Sequence, residues 1–225
     1  MRARAIGAAV LAITPGTGPA AAEWQVWGYF GQTFTHDAYV HYLSAGGSED
    51  TIDTSWDGKG FTMPIYYGIR VTRWFDSHPA WGIQADFNHI KTYADLDGTE
   101  AGATFDTLEF TDGLNIATLD AVHRWRNLWG GFTPYAGAGF GVNVPHVEVS
   151  LVGDPAEISE YQLAGYALVA FAGLEFALTD NLSAFGEYKL SFAHVDPDVS
   201  AVADGLKVDF LNHHLNFGLS YRFDH

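Results

Sequence analysis

The chain has no cysteine, which excludes a disulfide framework, a thioether-linked haem and any thiolate metal centre. It is poor in positive charge: 11 lysines and arginines stand against 27 acids, a formal net charge of −16. Nucleic-acid binding needs a basic face, so that class is excluded. No apolar run reaches the roughly 20 residues of a membrane-spanning helix. P-loop, zincin and nucleophile-elbow motifs are missing as well.

What is present is apolar matter interleaved with polar. Hydrophobic residues make up 48% of the 225, yet the mean hydropathy is −0.01. That balance fits one domain with a greasy face and a wet face. The first segment differs. Arg2 and Arg4, the apolar stretch Ile6 to Ile13 and the small residues Ala20-Ala21-Ala22 read as a secretory signal peptide over 1–22. The mature domain is then expected over 23–225.

From Glu23 onward the pattern has a period of two. Phe61, Met63, Ile65, Tyr67, Ile69 and Val71 share one face of a segment from Gly60 to Trp74. Trp81, Ile83, Ala85 and Phe87 repeat the alternation, as do Leu211, Leu215, Phe217, Leu219 and Tyr221 near the end. Less regular strands are expected over Trp24–Thr35, Leu114–Trp125, Thr133–Val144, Tyr161–Leu178 and Leu182–Phe192. The Tyr161 segment is apolar on both faces, so its inward side stays unassigned. Short links near Asp76-Ser77, Asn127–Gly131 and Thr179–Asn181 alternate with long ones rich in acid: Asp37 to Asp57, Asp95 to Asp112, Glu148 to Glu160 and Asp196 to Asp209. The expectation is an all-β, eight-stranded antiparallel transmembrane β-barrel with short periplasmic turns and long acidic extracellular loops, in the outer membrane of a Gram-negative bacterium. Trp24, Trp27, Trp74, Trp81, Trp125 and Tyr221 are expected to form its periplasmic aromatic girdle.

Strand parity turns Arg70, Asp86, Asp120, Arg124, Glu187, Lys189, His214 and Arg222 inward. An eight-stranded lumen is just wide enough for side chains to fill it. A paired charge network there, centred on Arg70, Asp86, Glu187 and His214, reads as a plug. His36, His89, His146 and His194 fall near the upper ends of outward-running strands, in line with lipid-facing residues. His146 and Glu148 share a face, which is compatible with a metal, although an amphipathic belt residue at the interface is the reading favoured over ligation. Pro145 beside them marks a strand end, an edge or a bulge, and a bulge turns His146 toward the lumen mouth.

Several strings are unlike a generic barrel hairpin: Trp56-Asp57-Gly58-Lys59-Gly60-Phe61-Thr62-Met63-Pro64, then Tyr66-Tyr67-Gly68-Ile69-Arg70; Glu109-Phe110-Thr111-Asp112-Gly113-Leu114-Asn115; Gly139 through Val149 with its Pro145-His146-Val147-Glu148; and Gly186-Glu187-Tyr188-Lys189. In this order they resemble the outer-membrane lipid A oxidase family, within the small barrels of the outer-membrane protein A type. The resemblance implies oxidation by dioxygen of the proximal glucosamine of lipid A to 2-aminogluconate, with lipopolysaccharide in the outer leaflet as partner and the monomer as the working form. Among the matching polar positions, His146 or Glu148 is the expected base, with Asp112 and Asn115 in the same catalytic group. Lys59, Trp56 and Lys189 are expected to bind substrate. The cofactor is left open; a divalent metal ion held by His146, Glu148, His36 and His89 is the least strained candidate. A structural or adhesive barrel and a small porin are the other readings.

Overall fold

The computed structural model describes residues 23–58, 65–126, 128 and 130–223. Its strands are β1 (Glu23–Thr35), β2 (Ala38–Leu43), β3 (Glu49–Thr54), β4 (Trp56–Asp57), β5 (Tyr67–Trp74), β6 (Trp81–Ala94), β7 (Phe105–Arg124), β8 (Phe132–Leu151), β9 (Glu157–Tyr161), β10 (Tyr166–Ala177), β11 (Leu182–Val195) and β12 (Gly205–Phe223). A single turn of helix, α1 (Glu100–Thr104), precedes β7 and is capped by Thr99. Eight strands close a ring in the order β1-β5-β6-β7-β8-β10-β11-β12, and β12 pairs back onto β1. Every neighbour is antiparallel. The β2–β3 hairpin, β4 and β9 extend the sheet at the end that carries the long connections, here the loop end. At the opposite turn end, residues 75–80 join β5 to β6 and residues 178–181 join β10 to β11.

Along the lower strands the alternation is the one expected of a wall with lipid outside. Phe30, Ile69, Leu119, Phe140, Leu168 and Phe217 are exposed, while Arg70, Asp86, Asp120 and Glu187 are buried inside the ring. The doubtful β10 resolves the same way: Ala167, Val169, Phe171 and Glu175 point in, and Leu168, Leu174 and Phe176 point out.

Nearer the loop end the pattern inverts. Leu108, Phe110, Leu114, Val147, Val149, Leu206, Val208 and Phe210 turn inward and pack with Val40, Tyr42, Ile52 and Trp56 into an apolar core. The outward positions of the same strands carry acid, such as Asp106, Asp209, Asp53 and Glu157. Much of the acidic sequence expected to be loop is therefore strand. Its charges face away from an apolar interior, so the strands run on past the zone where their outer face is greasy.

Two tryptophans assigned to the girdle lie inside instead. Trp27 donates its indole N–H to Thr72 at 3.0 Å, and Trp74 donates to Gln25 at 2.9 Å. Buried indoles need such acceptors, and the polar lumen supplies them. Trp24, Trp81, Trp125 and Tyr221 remain exposed.

Candidate functional site

Two groups of polar side chains stand out, one inside the ring and one on its outer wall. Inside, Arg70 makes a forked pair with Glu187 at 2.6 and 2.8 Å and reaches Asp86 at 3.2 Å. Lys189 pairs with the same Asp86, so two cations face two carboxylates. Tyr29 and Tyr135 donate to Asp86 and Glu187 at 2.7 and 3.0 Å, and Asn216 donates to Glu187 at 2.9 Å. Gly68 leaves room for the Tyr29 ring, because a Cβ there would fall 2.0 Å from Tyr29 Cζ. Charges buried this deeply persist only when paired and hydrogen-bonded, as these are. His214 is fully buried, but it joins Ser191 at 2.8 Å and packs against Tyr66 rather than bonding an acid.

This placement removes Lys189 from substrate binding, since its ammonium is spent on Asp86 and Tyr29 inside the ring. Trp56 is likewise buried, stacked on Phe110 and donating to the Ala38 carbonyl at 3.4 Å. Lys59 lies outside the described residues.

On the outer wall, the string Glu109 to Asn115 forms a wide bulge in β7. Register passes from Glu109 opposite Glu148 to Leu114 opposite Pro145, so residues 110–113 of β7 face only 146–147 of β8. The β6 side slips at the same place, between Ile90 and Thr92. The irregularity sits in β7, and His146 keeps the outward parity of Phe140 and Val142 instead of turning to the lumen. Pro145 stands where β8 changes partner, from β10 below to β9 above, and its carbonyl accepts from Gln162. A residue with no N–H is tolerated at such a division.

Gly113 makes the bulge possible at φ +112°, a left-handed conformation that favours glycine. A Cβ at this position would sit 2.3 Å from His89 Nδ1 and 2.7 Å from Asn115 Oδ1. Those two atoms bond each other at 2.9 Å, and Asn115 Nδ2 donates to the Val144 carbonyl. With the Asn115 amide oriented by that second bond, its Oδ1 accepts, and His89 Nδ1 carries the proton. His89 Nε2 is then the acceptor nitrogen, buried and without a hydrogen-bond partner among the described residues. The ring is 6% exposed and stacks on Tyr67 with centroids 5.2 Å apart.

His146 repeats the device two residues above this row. Its Nδ1 contacts Glu148 Oε1 at 2.9 Å and its ring meets Tyr161 edge-on at 4.7 Å. In both cases an acceptor on Nδ1 orients the imidazole and leaves Nε2 to take a proton, the arrangement a general base requires. Asp112 falls in the bulge segment 110–113, and its side chain lies outside the described residues.

The remaining histidines do not join them. His36 contacts His213 Nε2 at 2.7 Å on the β1–β12 seam, and Tyr188 bonds the other ring nitrogen of His213, Nδ1. His194 pairs with Asp209 at 2.6 Å and stacks on Tyr166. His89, His146, His194 and His213 thus each have a tyrosine from a neighbouring segment against them, while His36 meets His213 instead. Sequence alone did not single out His213, Tyr161 or Tyr166, because cross-strand partners depend on register. Among the described residues no three histidine or carboxylate side chains stand close enough to share a metal ion. Of the set His146, Glu148, His36 and His89, only His146 and Glu148 touch; His89 bonds Asn115 and His36 bonds His213, so the four do not fit a metal centre.

The sequence profile of the outer membrane protein beta-barrel domain family matches residues 7–223. Among solved structures, the chain is similar to Neisserial surface protein A at 16% identity and TM-score 0.49, covering 89% of this chain and 97% of that one. It is similar to OprG from Pseudomonas aeruginosa at 13% identity and TM-score 0.45, covering 92% and 99%. The N-terminal β-barrel domain of Pseudomonas aeruginosa OprF gives 11% and 0.42, covering 89% and 97%. Among curated proteins none matches its sequence.

Proposed function

Because the chain belongs to the outer membrane protein beta-barrel domain family, and so to the Gram-negative outer membrane, we propose that it acts on the lipid around it through its outer wall. The loop end is taken to face outward, toward lipopolysaccharide. The reaction we assign is the one its resemblance to lipid A oxidases implies: dioxygen-dependent conversion of the proximal glucosamine to 2-aminogluconate. Overall, the sugar's C1–H and O–H give two electrons and two protons to dioxygen. This yields a lactone and hydrogen peroxide, and water then opens the lactone to the acid.

The observation that carries this reading is His89 on the outward parity of β6, with its Nδ1 engaged by Asn115 and its buried Nε2 without a hydrogen-bond partner among the described residues. A sugar hydroxyl donating to that nitrogen satisfies it and places the hydroxyl proton where a base removes it. His146, oriented by Glu148, is a second base two residues above the same cross-strand row. The packed lumen supports a site outside the ring over one inside, and it speaks against a porin.

Mass spectrometry of lipid A from cells expressing the chain, with and without oxygen, tests the proposal. The expected result is an oxygen-dependent gain of one oxygen atom on the proximal sugar, lost in His89→Gln and reduced in His146→Gln. Unchanged lipid A beside a folded barrel would instead favour a structural or adhesive role, which the charge-neutral plug fits equally well.

A further inference from the structure

The outer wall is not equally greasy all round. On β12 and β1 the outward positions include the large Leu211, Leu215, Phe217, Phe30 and Phe34. Across β6 and β7 they include Ala85, Ala117 and Ala121. The result is a depression of about 540 Å³, floored by Ala85 and Ala117 and walled by Ile69 and Val71 on one side and Phe140 and Val142 on the other. A second of about 490 Å³ continues it toward Trp81 and shares Leu119 and Phe140. Volumes of this order accept a small apolar ligand.

Position gives the depression its meaning. The lining of the depression ends at Phe87 and Ala117, and the next outward pair on the same two strands is His89 and Asn115, so the depression stops one cross-strand row below His89. From His89 down to Ala85 is four residues, roughly 13 Å at the usual strand rise. At a barrel tilt of about 40° this spans about 10 Å of depth, which lies within one leaflet of a hydrocarbon core of about 30 Å.

Resting on the reading above, we propose that the upper depression seats one acyl chain of the lipid A molecule whose sugar reaches His89. In a bilayer an acyl chain gains nothing by leaving water, so the seat acts through close packing and by fixing the direction from which the headgroup arrives. The two contacts have separate tasks: His89, oriented by Asn115, accepts from a hydroxyl, and the alanine floor selects and orients a chain.

Retention of purified lipid A by the detergent-purified barrel, read by native mass spectrometry, tests the seat without requiring turnover. Ala117→Trp fills the depression from the lipid side and leaves the interior untouched. Leu215→Trp, on the opposite wall, is the control, and heat-modifiable gel mobility checks that both variants fold. We expect Ala117→Trp to retain lipid A at least tenfold less than the wild type, with Leu215→Trp unchanged. Equal retention by Ala117→Trp and wild type overturns the seat, as does equal loss in both variants. The parent reading fails separately: a wild-type barrel that retains lipid A in an Ala117-dependent way yet never oxidises it keeps the seat and loses the oxidase. An Ala117→Trp barrel that oxidises lipid A at the wild-type rate keeps the oxidase and loses the seat.

Discussion

Below the row of histidines, β7 turns Asp120 and Thr118 inward and Leu119 outward; above it, the same strand turns Leu108 inward and Asp106 outward. Strand β12 does the same, with Asn216 and His214 inside and Phe217 outside below, then Phe210 and Val208 inside and Asp209 outside above. One continuous ladder serves two solvents. Where lipid lies outside, polar side chains are stored within and satisfy one another. Where water lies outside, the ladder behaves like a soluble sheet and buries its apolar face. The candidate bases stand at the change of sign, where a lipid's sugar meets its chains.

The comparison breaks most visibly in the lower half. Arg70→Met leaves Asp86 paired with Lys189 and takes from Glu187 the cation it pairs with. The expected loss is about 3–5 kcal/mol, read from urea unfolding in lipid vesicles. Adding Glu187→Gln should recover more than half of it, because the uncompensated charge goes rather than the packing. No rescue would mean that the lumen tolerates charge differently from the pairing described.

An outward charge separates the halves next. Phe217→Arg places a cation against lipid and should cost about 2–4 kcal/mol in the same assay. Asp53→Arg, exposed on β3 of the loop end, should stay within about 0.5 kcal/mol. Similar costs at both positions would erase the boundary between lipid and water.

The smallest effect is titration in the water-facing half. The Ser200 backbone N–H donates to Asp198 at 3.0 Å and holds this exposed carboxyl below its ordinary 3.8. With the folded value depressed, the bond contributes at pH above the ordinary range and is lost as pH falls through the folded value. An NMR titration of the Ser200 amide should show a midpoint below 3.8 that disappears in Asp198→Asn.

The inversion also explains what could be read from the sequence. Period-two alternation is legible wherever one face is consistently apolar, so the membrane-facing stretches of β5, β6 and β12 and the inward parity of Arg70, Asp86 and Glu187 follow from spacing alone. Above the histidines the acids at Asp106, Glu109 and Glu148 read as loop, although they occupy the wet outer face of extended strands. Acid content cannot tell a solvated strand from a solvated loop. Trp27 and Trp74 were misplaced because amphipathic rings suit both an interface and a polar lumen. The pairing of His89 with Asn115, 26 residues away, depends on a bulge and on the glycine that permits it. The Glu109–Asn115 string drew notice as a motif, but its geometry was not visible in it.

The β1–β12 seam, which runs from Trp24 opposite Phe223 to Thr35 opposite Asn212, has a consequence for how the chain comes together. Every other neighbour in the ring is linked in sequence, by a turn or by a longer loop. This pair joins the two ends of the domain, so its loop-closure entropy is the largest of all. Topologies dominated by such distant contacts form slowly. Until the seam closes, two long strands present unpaired N–H and C=O groups, and either is a template for the wrong partner. Assembly is therefore a race between this last zipper and aggregation, and a surface that holds the two edge strands near each other would decide it.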